Sequence, residues 1–97
     1  MLLGKYFVSN HALNQYDERV EFKRKGDILS SIKYDLRTLN IRHIIRVKDH
    51  IYVFTKNSKE FVFVRTKKGT LCLRTVIKRN PDDTQRTIEK RKALATC

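Results

Sequence analysis

The sequence predicts an α+β fold: a strand, two helices, an antiparallel four-strand meander and a C-terminal helix. Three observations predict it. Apolar residues recur at helical spacing through residues 10–39. The pattern then switches to short runs rich in β-branched and aromatic residues, separated by short polar gaps. Finally, Asn80-Pro81-Asp82-Asp83 opens a new helix with an N-cap, a proline at the first helical position and acid in the first turn. The expected organisation is one α+β domain over 1–80 and a basic helix or tail over 81–97.

The elements follow in order. Residues 3–8, LGKYFV, form a short apolar run that suits a strand. Ser9 or Asn10 supplies an N-cap for a helix from Asn10 to Val20. Ala12, Leu13, Tyr16 and Val20 fall on one arc of that helix, and His11, Gln15 and Glu18 on another. Asp27 caps a second helix, whose buried stripe is Ile28, Leu29, Ile32, Leu36 and Leu39, with Asn40 as its stop. Strands are expected at 41–47, 51–55, 60–66 and 71–78, and the gaps between them are short enough for antiparallel pairing. Helices cover one sheet face and leave a partly apolar second face. Phe61 and Phe63 read as core. The C-terminal helix offers only Ile88 and Leu94, with two alanines, for packing.

Composition narrows the function classes. The chain has 97 residues, 40% of them hydrophobic, so a thin but real core is expected in one domain. No apolar run approaches the roughly 20 residues of a membrane helix. The opening MLLGKYFVSN lacks the apolar core and cleavage site of a secretory leader. Three glycines do not make a phosphate-cradling loop. Cys72 and Cys97 read as free thiols, which points to a reducing cytoplasm. His11, His43 and His50 do not flank them at zinc-finger spacing, and the acids do not converge for two-metal chemistry, so neither metal nor cofactor is expected.

The charge is the strongest signal. The formal net charge is +12, and a polyanion is the expected partner. Residues 1–50 hold ten Lys and Arg against six acids, whereas residues 51–97 hold twelve against four. No acid interrupts residues 61–81. The expected nucleic-acid surface comprises Arg42, Arg46, Arg65, Lys67, Lys68, Arg74, Lys78 and Arg79. Strand alternation places Arg74 and Lys78 on one face with Cys72 and Val76, and Arg42 with Arg46. Tyr6, Tyr16, Tyr34 and Tyr52 are candidates for stacking on unpaired bases.

Metal-independent RNA cleavage needs a group to take the 2′-hydroxyl proton, cations at the phosphorane, and an acid for the leaving oxygen. His11, Arg19, Arg46, Arg74 and Arg79 supply the residue types, with Glu18 to orient. His11 stands out, because it shares the polar arc of the first helix with Gln15 and Glu18.

The stretch Ser9-Asn10-His11-Ala12-Leu13-Asn14-Gln15-Tyr16-Asp17-Glu18-Arg19 resembles the opening of a small family of bacterial and phage proteins. In that family a strand leads into a Ser-x-His-Ala helix ending in Glu-Arg, and its members look like relatives of RelE- and BrnT-type toxins. Leu73-Arg74-Thr75-Val76-Ile77 is similar to the group's last-strand segment. The resemblance spans residues 6–79 in architecture. It implies a RelE-like fold and a metal-independent endoribonuclease, often one half of a toxin–antitoxin pair. His11 and Arg19 then fall on motif positions and Thr75 on the final strand as catalytic residues. Many such sequences carry arginine four residues after the histidine, where this chain has Gln15. The partners so implied are RNA or DNA and an acidic antitoxin or host protein, with no membrane. The alternative is a non-catalytic interaction protein of phage type that binds a host protein or DNA through its basic hairpin.

Overall fold

The structure, a computed structural model, describes residues 2–3, 6–19 and 25–96, with side chains over 6–16 and 28–95. The elements are β1 (Leu2–Leu3), β2 (Tyr6–Val8), α1 (Asn10–Arg19), α2 (Lys25–Asp35), β3 (Ile41–Val47), β4 (His50–Thr55), β5 (Lys59–Arg65), β6 (Leu71–Lys78) and α3 (Pro81–Thr96). The fold class is α+β. Val20 and Cys97 lie outside the described residues.

One mixed sheet runs in the order β1-β2-β6-β5-β4-β3. β3 to β6 pair antiparallel in chain order. β2 pairs parallel with β6, Tyr6 to Val8 against Leu71 to Leu73. The expected antiparallel meander is therefore one part of a mixed sheet. Two helices cross between β2 and the later strands, which lets β2 lie alongside β6, the last strand.

Two of the helices start where their caps put them. The Ser9 hydroxyl accepts the Ala12 N–H at 3.1 Å and opens α1. Asn80 Oδ1 accepts the Asp83 N–H at 2.8 Å, with Pro81 next in the first turn of α3. α2 begins at Lys25, so Asp27 lies inside it and does not precede it. Gly69 sits at φ +84° in the β5–β6 turn, a left-handed conformation that a side chain would strain.

The helices occupy both faces of the sheet. Ala12, Leu13, Tyr16, Ile28 and Ile32 of α1 and α2 pack on Val8, Ile51, Val53, Phe61, Phe63, Leu73 and Val76. On the opposite face Ile88 of α3 packs with Ile45 and Phe54, flanked by Val47 and Tyr52. α3 lies over β3 and β4. The expectation of helices on one face is corrected: α3 shields half of the second face and leaves the β5–β6 half open.

α2 also stops a turn earlier than its stripe predicts. It ends at Asp35, a 3-10 turn covers Thr38–Asn40, and Leu39 is 81% exposed. Asn40 Nδ2 donates to the Tyr34 carbonyl at 2.8 Å, which satisfies one of the end carbonyls of α2. At this end of α2 the Asp35 carboxylate turns inward. It accepts from Lys59 Nζ at 2.7 Å, from the Tyr16 hydroxyl at 2.8 Å and from Asn57 Nδ2 at 3.4 Å. This buried knot ties α1, α2 and β5 together. Lys59, which reads as a turn residue in the sequence, is the first residue of β5 and points to the core.

Two irregularities reset the faces of the outer strands. The register between β5 and β6 shifts between Val62 and Phe63, so that Phe63 faces Leu73 and Val62 faces Thr75. Leu73 and Val76 consequently both enter the α1–α2 core. Arg74 is the extra residue of this bulge. Cys72 pairs with Val64, away from that core, so it does not share a face with Val76.

The second shift falls between Ile41 and His43 of β3. Arg42 thereby reaches Gln85 of α3, donating to its Oε1 at 2.5 Å. Arg46 lines a recess on the other face with Ile44, Ile51 and Phe63. Arg42 and Arg46 therefore do not share a face.

Candidate nucleic-acid interface

A groove of about 850 Å³ opens between the end of β6 and one side of α3. It is lined by Ile77, Lys78, Arg79 and Asn80 on one wall and by Asp83, Arg86, Thr87 and Lys90 on the other. The α3 wall follows from helical spacing, since residues 83, 86, 87 and 90 form one stripe. The next stripe, Thr84, Ile88 and Arg91, faces the sheet: Thr84 and Ile88 are buried, and Arg91 sits 4.3 Å from the Tyr52 ring centroid.

Glu60 anchors the groove from below. Its side chain is 1% exposed and lies between Arg79 and Arg91. Arg91 Nε donates to Oε2 at 3.3 Å. Arg79 Nη2 stands 3.0 Å from Oε1, as an ion pair without hydrogen-bond alignment. Arg79 Nε also donates to the Thr87 hydroxyl at 3.2 Å. Arg79 is therefore a fixed strut between β6 and α3. Arg86 pairs with Asp83 at 2.7 Å on the surface, a contact that water screens. Lys78 and Lys90 are exposed at the rim.

The eight cations expected from the sequence do not converge. Lys78 and Arg79 enter the groove. Arg42 is engaged with Gln85, and Arg46 lies on the far face. Arg65 donates to the Gly69 carbonyl at 3.4 Å, and Lys67 and Lys68 occupy the exposed turn beyond it. Arg74 is exposed on its bulge. Arg86 and Lys90, which the sequence places on the C-terminal basic helix or tail but not in the interface, take the places beside Lys78 and Arg79. The signal for them was the polar i, i+3, i+4, i+7 stripe of α3.

The catalytic candidates do not meet either. His11 is exposed in the first turn of α1, on the face that α1 and α2 cover. Thr75 pairs with Val62 on the opposite face, so the sheet separates the two. The Arg19 and Glu18 side chains lie outside the described residues. Gln15 serves the fold instead, because its Oε1 accepts the Val76 N–H at 3.0 Å, just past the point where β2 stops pairing with β6.

No family model, curated protein or solved structure matches this chain. Among the described residues, no group of three or more His, Cys, Asp or Glu gathers as a metal site, and no helix is long and apolar enough to cross a membrane.

The tyrosines divide by environment. Tyr16 is buried in the Asp35 knot. Tyr6 packs edge-on to Phe63 at 5.0 Å, and burial pushes its phenol up to about 12. Tyr52 lies under Arg91. Tyr34 is 59% exposed, with Arg37 over its ring.

His43 sits beside α3. Partial burial lowers its pKa from the usual 6.5, and the nearby Lys92 and Arg42 lower it further. The unfolded chain therefore takes up this proton first. The His43 contribution to stability is full above pH about 6.5 and is lost as pH falls through the lower folded value. Lys92→Gln is expected to raise the His43 pKa, read from the imidazole resonance in an NMR titration. An unchanged or lower value would contradict the assignment.

Proposed function

We propose that the protein binds nucleic acid, with RNA as its target, through the groove between β6 and α3. The observation that carries this reading is the gathering of Lys78, Arg79, Arg86 and Lys90 around one groove in a chain of net charge +12. Cations so placed attract phosphates, and binding releases condensed counterions. The fixed Arg79 strut keeps the two walls at a set spacing, which favours a backbone-tracking site over a diffuse basic surface.

Binding should therefore weaken steeply with salt. Lys78→Gln with Lys90→Gln is expected to lower the magnitude of the log–log salt slope by about 1.4, at roughly 0.7 per phosphate contact on a single strand. Fluorescence anisotropy with a labelled RNA at several salt concentrations measures it. A slope equal to that of the parent would remove the groove from the interface.

A second reading keeps the ribonuclease. It is favoured by the element order, two early helices followed by antiparallel strands, which the RelE- and BrnT-type resemblance implies. In this reading the separation of His11 from Thr75 excludes their acting as a pair, so cleavage would rest on α1. The same RNA incubated in EDTA distinguishes the readings: intact RNA supports binding alone, and cleavage abolished by His11→Ala supports the enzyme.

A further inference from the structure

The open half of the α3-side sheet face continues directly from the groove. Cross-strand partners share a face, so the register defines its surface. Phe7 pairs with Cys72, Cys72 with Val64, and Val64 with His50, a row across four strands. Beside it runs the row of Thr75, Val62 and Tyr52. Ile77, opposite Glu60, joins this surface to the groove floor.

None of the floor residues Cys72, Val64, Val62, Thr75 and Ile77 is fully buried, and Phe7 is 42% exposed. His50 is exposed and stacks on Tyr52 with 6.1 Å between ring centroids. Apolar and aromatic surface left open on a sheet, with cations along one border, is an unusual combination. Duplex grooves and phosphates need charge and hydrogen bonds. Unpaired bases need flat apolar surface as well.

We infer that this sheet face is the base-contacting floor of the proposed interface, and that its ligand is single-stranded RNA. This rests on the nucleic-acid reading above and narrows it. The strand's phosphates follow the rim of Arg86 and Lys90, past the groove that Lys78 lines at the end of β6. Its bases turn inward over Phe7, Val62, Val64 and the exposed His50 ring. Thr75 is the hydroxyl within the floor, a donor and acceptor that suits a ribose 2′-hydroxyl. The apolar floor and cationic border complement the two sides of an unpaired strand. A base-paired duplex keeps its base faces stacked inside the helix, out of reach of such a floor.

Cys72 gives a direct readout, because it is a free, half-exposed thiol within the floor. In a Cys97→Ser background it is the sole cysteine of the chain. Labelled 12-nucleotide single-stranded RNA, its blunt duplex and the same sequence as DNA are titrated in parallel, and Cys72 alkylation is timed with each at saturation. The single strand is expected to bind at least about tenfold tighter than the duplex and to slow alkylation at least about fivefold. Phe7→Leu, which keeps apolar bulk but removes the ring, is expected to weaken single-strand binding about fivefold with the salt slope unchanged.

Equal binding of single strand and duplex with Cys72 still open overturns this inference and leaves the groove reading intact. Equal binding of DNA and RNA single strands overturns the choice of RNA. Failure of all three to bind at low salt overturns the groove reading and this one together.

Discussion

Lys59→Met is expected to destabilise the protein by about 3–5 kcal/mol, a large share of the stability of a small domain. The Lys59 and Asp35 side chains are 9% and 6% exposed and meet at 2.7 Å. Removing the ammonium strands a buried carboxylate that, among the described residues, keeps the Tyr16 hydroxyl and the Asn57 amide as donors. The cost comes mainly from that stranded charge, and less from the missing attraction itself. Replacing the whole knot should accordingly recover most of it: Lys59→Met with Asp35→Leu and Tyr16→Phe leaves no polar group of the trio unpaired. Urea denaturation of the single and triple variants decides. A single variant within about 1 kcal/mol of the parent would show that the pair is not sequestered.

Ile88→Ala is expected to cost about 2–5 kcal/mol and to release α3 selectively. Ile88 is fully buried and joins α3 to Ile45 and Phe54 in a core separate from the main one. Leu94, the other large apolar residue of this helix, is 50% exposed. Little else apolar holds α3 down; its other ties are polar, among them those from Arg91 to Tyr52 and Glu60 and from Thr87 to Arg79. Amide exchange should therefore speed up along α3 while β4 and β5 stay protected. Because α3 supplies Arg86 and Lys90, RNA affinity should fall with it. Uniform loss of protection across sheet and helix would mean that the two cores unfold as one.

The parts of this fold that were legible in the sequence were those written locally. The caps at Ser9 and Asn80, the helical arc of Ala12, Leu13 and Tyr16, and the β-rich runs from Ile41 onward depend on near neighbours in the chain. What escaped was set by distant partners. Lys59 looks like a turn residue until Asp35 and Tyr16 are placed beside it. The bulges at Arg74 and Arg42 insert one residue each and invert every facing assignment beyond them, with no glycine or proline to announce them. The groove was half visible: Lys78 and Arg79 stand out as basic neighbours in the chain, but Arg86 and Lys90 join them only because α3 folds back beside β6.

The parallel pairing of β2 with β6 has a temporal consequence. On the ribosome β2 is made long before β6, and apart from the two-residue β1 its sheet partner does not exist until residues 71–78 have been synthesised. The hairpins from β3 to β6 close through near neighbours and can assemble quickly once synthesised. The early segment, with Val8, Leu13 and Tyr16 awaiting a surface, must remain uncommitted until then. Nascent chains halted before residue 71 are thus expected to expose their N-terminal apolar residues to chaperones, and those released a little later to conceal them.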